Sequence, residues 1–277
     1  MSAPDRLARR VSDLDQGSEG PARWDAQASL AHFISVLQQV VPPGEPPGPA
    51  TADTLSAAEA DQMQRRCRLL GRLAANFPQL TDGPLDLHAQ YWIATGRPPW
   101  LPARGHVPQE RSFVPPSGAA GSLAGAKPFG TGLFTSTGIA GSYGMWRCYL
   151  SGYEDSASLF LRPWHIWRLQ PRPAARTYEI RDAAGWVQLV TAYPRAEGGF
   201  LHPDWLAIAA RWDAVHITLR AITAAQGFSF TTPHGPTVAP YWDVESTFWL
   251  TWCFTSVTLL EVHDSPDPGA MTVISSS

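Results

Sequence analysis

The chain has 277 residues, 44% of them hydrophobic and 11% aromatic, enough to bury one sizeable core and an accessory segment. A formal net charge of -3 excludes a protein whose main business is coating nucleic acid through phosphate contacts. Cys67, Cys148 and Cys253 are odd in number, widely spaced and without a Cys-x-x-Cys pair, which excludes a disulfide framework and a cysteine zinc site and points to reduced thiols.

Residues 1–23 are polar and too poor in apolar side chains to fold alone, so a loose N-terminus is expected. They lack the basic, apolar and small-residue order of a signal peptide, and no apolar run reaches the ~18 residues of a membrane span. The expected setting is therefore cytoplasmic, or outside the cell after export without a cleavable signal, with no membrane partner. From Trp24, Leu30, Phe33, Ile34, Leu37 and Val41 recur at helical spacing up to Pro42-Pro43. A second helix follows Ser56-x-x-Glu59, a capping-box pattern, with Met63, Cys67, Leu70, Leu73 and Phe77 on its apolar face. Residues 24–80 thus read as a helical segment that packs against a main domain.

Residues 81–130 read as an irregular connecting region, broken by Pro98-Pro99, Pro102, Pro108, Pro115-Pro116 and a Gly/Ala/Ser stretch from Gly118 to Gly125. A loop of that length in a compact domain is usually functional, and residues 95–130 are expected to border a binding cleft as a lid. Residues 131–263 turn Trp-rich and β-branched, with strands expected at 133–137, 164–169, 177–180, 215–219, 228–232, 247–254 and 257–262. Asp182 and Pro203-Asp204 open two intervening helices. Strands grouped with short helices, without regular β-α-β alternation, favour α+β over a doubly wound sheet. The tail from Asp264 is Pro/Ser-rich and expected to fray.

Two stretches carry candidate chemistry. Lys127-Pro-Phe-Gly-Thr-Gly-Leu-Phe-Thr-Ser-Thr137 runs through a glycine turn into a hydroxyl-bearing strand, and Asp243-Val-Glu245 precedes a strongly apolar strand. Strand alternation puts Thr135 and Thr137 on one face with Ser136 on the other, and would let Asp243 and Glu245 face one cleft. Departure of a base from a ribose leaves positive charge on the sugar, which a carboxylate such as Glu245 can stabilise. Asp243 would orient or deprotonate an acceptor. Gly130 and Gly132 would let backbone approach a ligand, and Phe134, Tyr143 and Trp242 could stack on it. Such a site needs Ser136 and Glu245 on adjacent or facing strands of one cleft.

Gly132-Leu-Phe-Thr-Ser-Thr137, followed about a hundred residues later by Asp243-Val-Glu245, resembles the Ser-Thr-Ser and Glu-x-Glu elements of the ADP-ribosyltransferase superfamily. The resemblance covers roughly residues 127–262. It implies a mixed, split β-core that takes NAD as substrate, with Glu245 as catalytic acid, Asp243 as the first acid and Ser136 as the central serine. It also implies a phosphate-contacting arginine on an earlier strand, for which Arg104 is the nearest match and Arg111 the competitor. The chain departs from the pattern in reading Thr-Ser-Thr, in having Asp as the first acid and in a longer spacing. The resemblance leaves the acceptor open between a protein, a nucleic acid and a small molecule, and leaves open whether an immunity or antitoxin partner accompanies a toxin or effector of this kind.

No metal is expected, because the histidines are dispersed and no His-Glu-x-x-His occurs. His216, in Val215-His-Ile-Thr-Leu219, alternates with apolar neighbours and is expected at the surface. No Gly-x-Ser-x-Gly, Walker loop or Rossmann fingerprint is present. The alternative reading is a non-catalytic interaction or assembly module, with the tryptophans forming an interface and the acids merely solvated.

Overall fold

The computed structural model describes residues 33–34, 50–51, 57–96, 107–117, 130–139, 143–152, 160–226, 228–240 and 242–264. Most of the first expected helix, Arg104, and most of the expected lid lie outside these residues. Phe33 and Ile34 are helical and buried in the main core. The second expected helix is α1 (Ala57–Asn76), which bends at Phe77 into the short α2 (Pro78–Asp82).

The architecture is mixed α/β, with two mixed sheets and few, mostly short helices. The larger sheet is built from β2 (Gln90–Gly96), β3 (Leu133–Thr137), β4 (Leu161–Pro171), β5 (Thr177–Ile180), β8 (Ala214–Ile217), β11 (Ser246–Trp249) and β12 (Phe254–His263), in the order β12-β4-β2-β3-β11-β8-β5. Among the described residues only β5 and β8 pair in parallel within it. β1 (Ala50–Thr51), β6 (Pro194–Glu197), β7 (Phe200–Pro203), β9 (Phe228–Thr232) and β10 (Gly235–Val238) form the smaller sheet, ordered β1-β9-β10-β7-β6.

Helices α3 (Met145–Gly152), α4 (Ala183–Ala192), α5 (Trp205–Ala209) and α6 (Leu219–Ala225) connect the strands. Asp182 and Asp204 cap α4 and α5 by accepting from Gly185 N (2.7 Å) and Ala207 N (3.0 Å). Trp186, Leu189, Val190, Trp205, Ile208 and Ile222 from these helices meet Val215, Ile217 and Phe248 of the larger sheet in one core. That core occupies one face of the sheet only.

Four local departures from the sequence reading matter. Gln90–Gly96, within the stretch read as irregular, is an inner strand of the larger sheet between β3 and β4. The expected strand 247–254 is broken at Leu250–Cys253, because Leu250 N and Thr251 N turn to the Asp213 carbonyl (2.8 and 3.3 Å). The Asp213 carboxylate holds the break in place through Arg172 (2.9 Å), Arg176 N (2.8 Å) and Thr251 Oγ1 (3.0 Å). The expected strand 215–219 ends two residues early because the Thr218 hydroxyl caps α6 by accepting from Ala221 N (3.2 Å). Finally, Gly198-Gly199, both at positive φ, close the β6–β7 hairpin with a two-residue turn.

Gly132 has φ 61°, and a Cβ there would run into the Phe248 ring and the Trp249 carbonyl. The close approach foreseen for a ligand is thus made to the protein's own sheet. Gly132→Ala is expected to destabilise by roughly 2–4 kcal/mol, combining left-handed backbone cost with overpacking. Gly198, at φ 59° with nothing within 4 Å, is the control: Gly198→Ala should cost only about 1–2 kcal/mol in the same urea titration. Equal losses at the two sites would show that the contact with Phe248 contributes nothing.

Candidate functional site

Strand register assembles a polar layer on the face of the larger sheet that the main core does not occupy. β3 and β11 run antiparallel with Thr135 opposite Thr247, and one step beyond the start of β11 Glu245 reaches Thr137. Thr247 is opposite His216 on β8, His216 is beside Glu179 on β5, and Gln90 on β2 is opposite Thr137. Directly opposed residues share a face, so Glu179, His216, Thr247, Glu245, Thr135, Thr137 and Gln90 form one layer. Their chain neighbours Phe134, Val215, Ile217 and Phe248 point to the main core.

Residues 83–89 cover this layer. Leu85 N donates to Glu179 Oε1 (2.9 Å), Gln90 Nε2 donates to the Asp86 carbonyl (2.9 Å), and Leu85 and Leu87 pack with Trp249 and Cys253. Burial raises the Cys253 thiol to about 12, so it is an un-ionised packing group here.

Within the layer the hydrogen bonds form a continuous chain. Glu245 Oε1 accepts from Thr137 Oγ1 (2.7 Å) and from His216 Nε2 (2.8 Å), while Oε2 accepts from Thr137 N (3.0 Å). His216 Nδ1 lies 2.8 Å from Glu179 Oε2. In the other direction Gln90 Nε2 donates to Thr137 Oγ1 (3.1 Å), Thr135 Oγ1 to Gln90 Oε1 (2.5 Å), and Trp249 Nε1 to Thr135 Oγ1 (2.8 Å). Glu245 and His216 are 0% exposed, whereas the Glu179 side chain keeps 20% of its surface in solvent. Thr247 Oγ1, buried in the same layer, has no partner among the described residues.

Burial works against a charged imidazole at His216, but hydrogen bonds to Glu179 and Glu245 outweigh it and raise its pKa to about 9. Both ring nitrogens therefore donate at neutral pH. Burial would raise the Glu179 carboxyl, but the bond to His216 and the Leu85 N–H bring it below its ordinary value.

The sequence candidates divide between the two faces of the sheet. Thr135, Thr137 and Glu245 meet in the buried layer, and Ser136 turns away, donating to the Glu245 carbonyl (3.1 Å) and accepting from Trp146 N (3.3 Å). Ser136 and Glu245 are thus on adjacent chain segments with their side chains on opposite faces of the sheet, linked by the Ser136 hydroxyl at the Glu245 carbonyl. Asp243 does not share a strand face with Glu245, because both precede β11 and Asp243 has φ 64°. It centres a three-residue γ-turn closed by Val244 N and the Trp242 carbonyl (2.7 Å). Gln226 Oε1 anchors that turn by accepting from Trp242 N (2.9 Å) and Asp243 N (3.0 Å). Trp242 is 1% exposed and meets Phe134 edge-on at 5.9 Å, while Phe134 stacks on Phe248 at 4.5 Å. Trp242 is closed off from a ligand in this conformation, and the half-buried Phe134 packs against the main core. Tyr143 donates to Glu261 Oε2 (2.8 Å). Arg104 lies outside the described residues, and Arg111, in a 3-10 turn, donates to Gln109 Oε1 (2.6 Å).

His216 is a correction: it is buried, because β8 is covered on both faces. Glu179 and Gln90 had not been singled out. For Glu179 the available signal was an acid inside the short expected strand Thr177–Ile180; Gln90 offered none, because it lies in a stretch that reads as irregular. Among the described residues no group of three or more His, Cys, Asp or Glu could hold a metal ion, and no helix is long and apolar enough to cross a membrane. No family model matches the chain, and no curated protein or solved structure shows significant similarity to it.

Proposed function

We propose that the chain is an NAD-dependent transferase of the ADP-ribosyltransferase kind, acting through Glu245, in the manner of a toxin or effector. The observation that carries this reading is the fixing of the Glu245 carboxylate: Thr137 holds both oxygens and protonated His216 holds one. A carboxylate held in this way is preorganised for charge that develops at a ribose carbon. In the reaction the bond from C1′ to the nicotinamide nitrogen breaks and the nicotinamide keeps the electron pair. An acceptor nucleophile then bonds C1′ and loses its proton to solvent; the acceptor-orienting role assigned to Asp243 rests on its place two residues before Glu245 in the sequence, since its turn lies off the Glu245 face. Because Glu245 has no exposed surface, NAD reaches it only after a movement of the surrounding chain, and residues 83–89, bonded to Glu179 and Gln90 of the same layer, are the segment assigned to that movement.

The test is incubation with labelled NAD and a cell lysate. Label retained in the protein, nucleic-acid or small-molecule fraction identifies the acceptor class, and no transfer and no NAD hydrolysis under any condition would overturn the reading. Hydrogen exchange supplies a second check, since saturating NAD should alter exchange across residues 83–89.

A second reading, a non-catalytic interaction or assembly module, is favoured by one observation. The edge strand β12 exposes Leu259, Leu260 and Val262. In that case the buried layer only stiffens the sheet, and an immunity or assembly partner would seat on β12.

A further inference from the structure

We propose that Glu179, His216 and Glu245 act as a positioning triad, in which His216, gripped at both ring nitrogens, fixes the Glu245 carboxylate against Thr137, and Glu179 sets the orientation of His216. The purpose assigned to the triad rests on the transferase reading; the mechanical link between its members does not.

The geometry is set by three strands. Parallel pairing of β5 and β8 puts Glu179 beside His216, and antiparallel pairing of β8 and β11 brings the other ring nitrogen to the residue just ahead of β11. Two 2.8 Å contacts, one at each nitrogen, leave the imidazole neither a free rotamer nor a free tautomer. Glu179 is itself held at its other oxygen by Leu85 N (2.9 Å). Orientation therefore passes from the covering segment through Glu179 and His216 to Glu245. The remaining charged groups nearby do not compete for the ring. Arg181 Nε lies 4.0 Å from Glu179 Oε2, and Asp86 turns its carboxylate to His88 N (2.8 Å).

A fully buried carboxylate and a half-buried one sharing one buried cation are a costly way to fill a sheet, since apolar side chains of similar volume often serve stability as well or better. What the arrangement supplies, and an apolar filling does not, is a carboxylate of fixed direction. Glu179 is the member that solvent touches, so the triad also has one route for a proton. A residue that acts through another in this way governs turnover more than NAD affinity.

The experiment compares the full chain with Glu179→Gln, using three readouts: the His216 ring nitrogens by NMR titration, the Glu245 carboxyl carbon resonance in labelled protein, and NAD turnover. In wild type the imidazole should remain doubly protonated through pH 8. In Glu179→Gln its titration midpoint should fall at least tenfold in proton affinity, the Glu245 resonance should move, and kcat should fall on the order of tenfold with KM for NAD within about twofold. Turnover per folded molecule unchanged in Glu179→Gln would overturn the positioning role. If wild type transfers nothing, the transferase reading fails by itself, and the two resonances still decide the triad: an unmoved Glu245 signal refutes the link. Should the variant not fold, a neutral His216 in wild type at pH 7 would be enough to overturn the proposal.

Discussion

Glu245→Gln is expected to keep the protein folded and able to bind NAD while lowering turnover by 10²–10³, about 3–4 kcal/mol of transition-state stabilisation. The hydrogen-bond inventory explains why the fold should survive. Glu245 accepts from three donors, Thr137 N, Thr137 Oγ1 and His216 Nε2. A glutamine keeps its oxygen on Thr137 N and presents an amide N–H₂ to the other two. Thr137 Oγ1 can accept as readily as donate, and His216 can lose its Nε2 proton and accept while keeping Nδ1–H on Glu179. The layer is therefore rewired at a cost of roughly 1–3 kcal/mol, because Thr137 Oγ1 already accepts from Gln90 Nε2 and its hydroxyl proton loses its acceptor. The negative charge that would meet the ribose cation is gone. Asp243→Asn should behave differently, because Asp243 sits in a turn outside the layer. Transfer to the acceptor should fall while slow NAD hydrolysis, in which water is the acceptor, continues. Thermal melting separates folding from chemistry in both variants. Wild-type turnover in Glu245→Gln with NAD binding intact would remove Glu245 from the mechanism and favour the interaction-module reading.

How far the site could be read from sequence depended on whether its residues obeyed strand alternation. β3, β5 and β9 were legible residue for residue, because each is a short β-branched or aromatic run bounded by turn signals. Thr135 and Thr137 on one face with Ser136 on the other followed from the same periodicity. Alternation could not be extended to Asp243, because a left-handed residue ahead of β11 resets the direction of the chain. Nor could a single-sequence pattern show that β8 is covered on both faces, which is a property of the tertiary arrangement and turned His216 from an expected surface residue into the centre of the layer. Glu179 and Gln90 belong to the site only through cross-strand pairing at separations of 37 and 47 residues from their partners His216 and Thr137. Gln90 also lies in a stretch whose later prolines masked a strand of the larger sheet. Trp242 was drawn to the site by its place next to Asp243, whereas Gln226 anchors that turn and directs the indole into the main core.

The protonation of His216 should be visible as a pH dependence of stability. The folded chain holds this proton up to about pH 9, whereas an unfolded histidine releases it near 6.5. Between those values the folded state binds more protons, so stability falls as pH rises. The contribution is complete below pH 6.5 and is lost through about pH 9, on the order of 3 kcal/mol in all. Glu179 acts with the opposite sign: its contribution is complete above its ordinary value of 4.5 and is lost only as pH falls through its lowered folded value. Other groups with shifted protonation lie outside the window. Burial lowers His202 below 6.5, and burial raises Cys253 from 9 to about 12. Urea titrations at pH 7, 8 and 9 should therefore give a falling midpoint with an unchanged slope against denaturant. The double variant Glu179→Gln/Glu245→Gln keeps the shape of both side chains and removes the charges that hold the proton, so its midpoint should be nearly flat over the same range. A wild-type midpoint that does not change between pH 6.5 and 9 would mean that His216 is neutral in the folded chain, with one of its nitrogens accepting instead of donating, and the polar layer would then have to be held by a different set of protons.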